Sequence, residues 1–304
     1  MRIRHIVVLF IFSCGCFGQQ THKALDAAVQ AKISHFGGKA SLYAKNLQTG
    51  ETYSLRGSEP VRTASTIKLA ILVECFFEAA EGKLKWSEPI TVTKDEQVSG
   101  SGLLQDFTPG VQLPLKDVVD LMIVVSDNTA TNLILNRIGG DAVNARMEKL
   151  GLTQTRCMRK ILGDGNKLNA ETSGVTKEGA KPENARWGLG RSSPQEMVTI
   201  LEKIYRGELV SKEACAEMIE ILKRQRDHSG ILRDRKNVKV ANKAGALDRL
   251  RSDVGIAYLP QGAIAMAFTV DDMPEVNWTP DNPGELLISS LSEIVGNGLS
   301  GVAK

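Results

Sequence analysis

Ser65 and Lys68 stand three residues apart at the mouth of an apolar run, Leu69 to Val73, which continues through Cys75, Phe76 and Phe77 to Ala80. The run is too long for a strand and meets no breaker before Gly82, so it predicts a buried helix with Ser65 in its first turn. Residues three apart share a helix face, which puts the ammonium beside the hydroxyl. A buried lysine can lose its proton near neutrality and become a base, and a serine needs such a base to act as a nucleophile. Backbone N–H groups at the helix start can stabilise an oxyanion. Ser-x-x-Lys alone arises by chance about once in a chain this long at average composition. Two further motifs keep it company. Ser126-Asp127-Asn128 falls on a loop between two predicted helices, and Lys243-Ala244-Gly245 ends a predicted strand. Lys149-Leu150-Gly151 and Lys177-Glu178-Gly179 also fit Lys-x-Gly, but neither sits on a strand candidate.

The elements that must position these residues follow from periodicity. Thr21 to Phe36 reads as an amphipathic helix through Leu25, Ala28, Val29, Ile33 and Phe36, stopped by Gly37-Gly38. Ala40 to Leu55 reads as a hairpin turning at Gln48-Thr49-Gly50, and Pro89 to Val92 as a short extended piece. Ser99-Gly100-Ser101-Gly102 is either a loop bordering a site or a plain connection. Leu115 to Val125 and Thr129 to Ile138 read as helices on either side of the Ser126 loop, and Asp141 is the expected cap of a helix ending at Gly151. Cys157 to Arg191 is rich in glycine and charge with little periodicity, the mark of a functional or disordered loop. Ser193-Pro194-Gln195-Glu196 is a capping box opening a helix striped by Met197, Ile200, Leu201 and Ile204, and Ser211 to Arg226 is a further helix. Three strand candidates follow, Val238 to Lys243, Asp253 to Leu259 and Ala263 to Val270, suited to an antiparallel meander, and then a helix from Glu285 to Val295. The order predicts an α/β (α+β) fold with one sheet built from both ends of the chain and a helical subdomain inserted.

With 304 residues, 42% hydrophobic and 24% charged, the chain suits one large domain or two intimate subdomains. A net charge of +3 is too mild for a nucleic-acid partner. The basic stretches Lys223 to Arg226 and Arg233 to Lys239 lack aromatics and read as a solvated helix face and a strand edge. The first residues are basic, Ile6 to Phe12 are apolar, and Ser13 to Gly18 are small. This is the pattern of a secretory signal over 1–18, with cleavage after Gly18. A lipid anchor on Cys14 or Cys16 is the alternative. The protein is therefore expected outside the cytoplasm, periplasmic or secreted, as a monomer. Residues 19–304 form the catalytic domain, with 19–62 and 225–304 as its α/β part and 63–224 as its helical part. Cys75, Cys157 and Cys215 remain after processing, an odd number that leaves at least one thiol unpaired. Scattered histidines and the lack of Cys-x-x-Cys in the mature region argue against a metal site, and no cofactor is expected.

In this order the three motifs resemble those of the penicilloyl-serine transferase (DD-peptidase) superfamily, and most closely the class A β-lactamases. Ala64-Ser65-Thr66-x-Lys68 and Ser126-Asp127-Asn128-Thr129-Ala130-x-Asn132-Leu133 carry the likeness, which spans essentially the whole mature chain. The resemblance implies a β-lactamase or DD-peptidase-like fold and a small-molecule substrate, a β-lactam or an acyl-D-Ala-D-Ala-like group. It implies that Ser65 is the acylated nucleophile, Lys68 its base, and Ser126 the donor of a proton to the leaving nitrogen. Asn128 would bind a substrate amide and Asp127 order the loop. Lys243, with Gly245 beside it, would hold a substrate carboxylate. The backbone N–H groups of Ser65 and Ala246 would form the oxyanion hole.

Two departures from that pattern bear on function. Ala244 stands where a Thr or Ser is usual, removing a hydroxyl, and Arg251 or Arg249 is the expected substitute. In the irregular loop Ile161 falls where class A enzymes carry the glutamate that activates the deacylating water. Gly190 stands where an Asp would clamp Arg159. Glu183 is the first candidate for a replacement base, Glu171 the second, with Asp164 and Glu178 behind them. Without such a base the acyl-enzyme would be long-lived.

Overall fold

The computed structural model describes residues 15–163, 174–235 and 237–300. Asp164 and Glu171 lie outside them, as do Cys14 and the residues before it. Helix α1 (Gly15–Ile33) leads into β1 (Lys39–Asn46) and β2 (Thr52–Leu55), a hairpin whose turn uses Gly50 at φ +79°. After β3 (Val61–Arg62), a 3-10 turn (Ala64–Ile67) runs into α2 (Lys68–Ala80), which Gly82 ends with a left-handed backbone. Next come β4 (Pro89–Thr91), β5 (Gln112–Pro114), α3 (Leu115–Val124), α4 (Asn128–Ile138) and α5 (Gly140–Lys149). The irregular region contributes β6 (Arg156–Cys157), a 3-10 turn (Pro182–Trp187) and β7 (Gly190–Ser192). Helices α6 (Pro194–Tyr205) and α7 (Lys212–Lys223) precede the meander β8 (Lys239–Leu247), β9 (Leu250–Leu259) and β10 (Gly262–Asp271), and α8 (Pro283–Leu299) closes the described chain.

The main sheet has the order β2-β1-β10-β9-β8, antiparallel throughout. It joins both ends of the chain, as the element order predicts, and leaves β8 at its edge. Alternation along β10 explains the layering. Ile264, Met266, Phe268 and Val270 face α1 and α8 in one core, while Ala263, Ala265 and Ala267 face the helical side. Small residues there let α6 lie close to the sheet. Helix α1 keeps Leu25 and Val29 inward as expected, but Ala28 is exposed. Helix α2 is apolar nearly all round because the other helices enclose it, and Leu69, Ile71 and Leu72 are fully buried. Each such side chain contributes about 1.5–3 kcal/mol relative to exposure. The inserted region is mainly helical and carries two small ladders, β4-β5 and β3-β7-β6.

Two expected caps differ in detail. Asp141 does not cap α5: Gly139 at φ +80° does, and the Asp141 carboxylate instead accepts the backbone N–H of Lys177. At α6, Ser193 caps as expected, its hydroxyl accepting the N–H of Glu196. Glu196 does not turn back to complete the box. Its carboxylate accepts the N–H groups of Gln154 and Thr155 and the Thr155 hydroxyl, fastening the chain just ahead of β6. Cys75, Cys157 and Cys215 are all buried free thiols.

Candidate active site

Ser65 sits in the 3-10 turn before α2 rather than in α2 itself. The chain enters that turn through Ala64 at φ +47°, and Thr66 donates its hydroxyl hydrogen to the Thr63 carbonyl at 2.7 Å. Strand β8 presses on the turn at Gly245. A Cβ there would lie 2.9 Å from the Ser65 nitrogen and 3.0 Å from both the Thr63 oxygen and the Thr66 nitrogen. All three are backbone atoms, so the absent side chain is what brings the sheet edge against the nucleophile's own N–H. Ser65 is half-buried, and Ala246, half-buried too, follows Gly245 along the edge.

Lys68 opens α2 and is 0% exposed. Its ammonium position donates to the Ser126 carbonyl at 2.7 Å, the Ser126 hydroxyl at 3.2 Å and Asn128 Oδ1 at 3.1 Å. Burial pushes its pKa well below that of an ordinary lysine, and the charge of Lys243 pushes the same way. Lys243, also 0% exposed, approaches Ser126 from β8 and donates to its hydroxyl at 2.9 Å and to the Ala244 carbonyl at 2.7 Å. Burial lowers it to about 8, against the opposing pull of Asp227 and Asp253. Two lysines from opposite walls therefore converge on one hydroxyl, with Ser65 one helical turn from the first.

The loop carrying Ser126 is locked by Asp127. One carboxylate oxygen accepts the N–H of Ala130 and caps α4, while the other accepts the N–H groups of Leu103 (2.6 Å) and Leu104 (2.9 Å). This packing turns Ser126 to φ +53°. Asn128 donates to the Ser99 carbonyl, and its backbone N–H bonds Ser101. The loop from Ser99 to Gly102 thus does border the site. Gln225 ties the end of α7 to α3 through the Ile123 carbonyl, beside the same loop, while Arg224 and Arg226 on either side of it are exposed, as a solvated face requires.

The profile of the beta-lactamase enzyme family matches residues 24–299. The chain belongs to that family. It is 24% identical over 280 residues to a β-lactamase of Bacillus licheniformis, covering 86% of this chain and 85% of the relative. Among solved structures, a β-lactamase from Sphaerobacter thermophilus superposes with a TM-score of 0.77 at 24% identity, covering 93% of this chain and 99% of the other. A mutant of PBP-A, solved as an acyl-enzyme complex with penicillin G, superposes at 0.75 with 28% identity, covering 92% and 97%.

Within this family member, several expected residues do not join the cluster. Arg251 is 3% exposed, and its guanidinium is engaged internally. It pairs with Glu285 at 3.1 Å, donates to the carbonyls of Leu247, Leu250 and Asn277, and lies under the Trp278 ring. Burial is why it needs those partners, and they leave it as a brace of the β8–β9 turn. Arg249 likewise donates to the Met273 carbonyl. Glu183 is exposed on the turn Pro182–Trp187, and among the described residues no hydrogen bond links it to Ser65, Lys68 or Ser126. Its neighbour Asn184 is buried and grips Glu178, whose carboxylate is held low by Lys181. At Ile161, Asn132 accepts the backbone N–H at 2.8 Å and donates to the carbonyl at 2.9 Å. The segment is thus docked against α4 by its backbone. Gly190 packs on Thr63 and Ile67, and Arg159, with no acidic partner among the described residues, donates to the Lys160 carbonyl.

Asp227 and Asp253, whose charges act on Lys243, were not singled out by sequence reasoning. Asp253 carried a signal, a charge opening an otherwise apolar strand. Asp227, exposed just after the basic stretch Lys223 to Arg226, carried none.

Proposed function

We propose that this chain is an exported serine hydrolase that opens β-lactam rings through an ester on Ser65. The observation that carries this reading is the convergence of Lys68 and Lys243 on the Ser126 hydroxyl, at 3.2 and 2.9 Å, beside an accessible serine. Lys68, with its pKa lowered, takes the Ser65 proton. The Ser65 oxygen bonds to the lactam carbonyl carbon, and the negative charge builds on the carbonyl oxygen, facing the N–H groups of Ser65 and Ala246. As the C–N bond breaks, Ser126 gives its proton to the leaving nitrogen and is resupplied from Lys68. Lys243 favours that transfer by stabilising the developing charge on Ser126. Water then hydrolyses the ester.

The last step is the slow one in this reading. Among the described residues Lys68 has three oxygen partners and none is a carboxylate, and Glu183, the described candidate for activating water, is exposed and apart. The same observation favours a second reading, a D-alanyl-D-alanine peptidase or related acyl-transfer enzyme in which penicillin leaves a lasting ester. The likeness to PBP-A, a mutant of which was solved as an acyl-enzyme with penicillin G, supports the acylation step that both readings share. For export, the support is the basic-apolar-small pattern over 1–18, with a lipid on Cys14 or Cys16 as the alternative processing and a monomer as the working form. No helix among the described residues is long and apolar enough to cross a membrane.

Intact mass of the mature protein, followed in time after mixing with benzylpenicillin, tests the proposal. Consumption of drug with a transient adduct, absent in Ser65→Ala, supports the β-lactamase. A persistent adduct on Ser65 supports the peptidase. Unmodified protein with intact drug refutes both.

A further inference from the structure

Ala246 follows the glycine that abuts the Ser65 nitrogen, and it lies at an edge of the main sheet. Strand β8 pairs with β9 alone. Ala246 is opposite Arg251, and the next pair, Leu247 with Leu250, closes the hairpin. With no strand outside it, this end of β8 takes its position from β9 and from whatever holds the turn.

What holds the turn is a strap, residues 272–282, running from β10 to α8. Its first tie is Met273, which exchanges hydrogen bonds with Arg249. Its second is Arg251. The guanidinium donates to the carbonyls of Leu247 at 2.6 Å and Leu250 at 2.7 Å, and to the Asn277 carbonyl of the strap. Its Nε meets Glu285 of α8 at 3.1 Å, and the Trp278 ring covers it at 4.6 Å. Asn282, 0% exposed, donates to the same Asn277 carbonyl at 2.6 Å and accepts the Gly284 N–H, which fixes the strap to the start of α8. Gly284 lets that helix close in: a Cβ there would lie 3.3 Å from Arg251 Cγ. A rigid plane of donors thus sets both sides of the hairpin against the strap and α8 together. A point charge such as an ammonium could not hold all four acceptors in one plane.

We propose that Arg251, seated on Glu285 and covered by Trp278, is a positioning residue for acyl transfer, holding the end of β8 so that the Ala246 N–H meets the oxyanion. The inference rests on the acyl-transfer reading above. Arg251 touches no substrate. It acts across the ladder on Ala246 and through Leu247, the next residue along the strand. Small errors there matter, since a misplacement of about 1 Å can cost roughly a hundredfold in rate.

The test measures two quantities with benzylpenicillin: the saturating rate of ester formation on Ser65 and the dissociation constant of the complex that precedes it. A boronic acid, whose tetrahedral serine adduct places an oxygen where the oxyanion forms, gives a third. Arg251→Lys keeps the charge beside Glu285 and loses the plane. It should form the ester about tenfold more slowly at an unchanged dissociation constant, with boronate affinity falling by the same factor. Trp278→Ala, at a side chain 62% exposed, should slow the ester about threefold, and Trp278→Phe, which keeps a ring over the guanidinium, should restore most of the rate. Melting curves check folding, and Trp278→Ala decides if Arg251→Lys does not fold. Saturating rates within about twofold of wild type, or a loss confined to the dissociation constant, overturn the positioning role and leave the acyl-transfer reading standing. No ester in the wild type overturns both.

Discussion

Around Ser126 the chain is held by side chains that reach one another. Asp127 accepts three N–H groups, Lys68 serves three acceptors, and Lys243 arrives from another element to share one of them. Across the cleft, the described residues between Arg156 and Arg191 are held chiefly by their backbone. Asn144 grips both the N–H and the carbonyl of Cys157, Asn132 does the same to Ile161, and Thr176 bonds the Cys157 carbonyl. The first wall fixes which side chains face the substrate, because changing any of them leaves a buried polar group unpaired. The second wall fixes where the chain runs and leaves its side chains open to replacement. In the proposed reaction, acylation would draw on the first wall, and the fate of the ester would depend on what the second wall presents.

Four changes break or sharpen this contrast. Gly245→Ala should be the most severe, since its Cβ would push on the backbone of Ser65 and Thr66. Acylation by a β-lactam should fall by roughly a hundredfold or more, the scale of losing an oxyanion donor, and the melting temperature should fall with it because the atoms met are backbone. On the other wall, Ile161→Glu adds a carboxylate to a backbone already clamped by Asn132. The lifetime of the Ser65 ester should shorten by about tenfold, within the range for a positioned base, while the acylation rate stays near wild type. An unchanged lifetime would mean that the second wall does not face the ester. A smaller effect is expected from pH. Lys243 is a cation below about 8 and loses its proton above it. Lys68 is lowered by burial and by the charge of Lys243, which favours its role as a base. Acylation should therefore decline as pH rises through about 8, and Lys243→Arg, which keeps its charge, should carry activity to higher pH. Glu183→Gln should do least. Adduct lifetime should stay within about twofold, as expected for an exposed side chain without a partner in the cluster.

The sequence carried most of this where burial imposes a period. Helix α2, the meander β8 to β10 and the helices flanking Ser126 were legible because each hides one face or all of itself. The three motifs were legible because each occupies one turn or strand end. Arg251 was misread because its partner Glu285 lies on α8, and only the folded sheet brings them together. Asp141 and Glu196 look like local caps, yet each bonds a distant N–H instead. The irregular region was harder still, since asparagines holding backbone atoms leave no periodic trace.

Strand β1, near the start of the chain, finds its inner neighbour in β10, near the end. The sheet's middle cannot close until nearly all of the chain is available, and Leu42 and Ala44 wait uncovered until then. Contacts so far apart in sequence make for slow folding. A nascent chain of this design stays loose until its last strands arrive, the state in which a polypeptide can be threaded through a narrow pore.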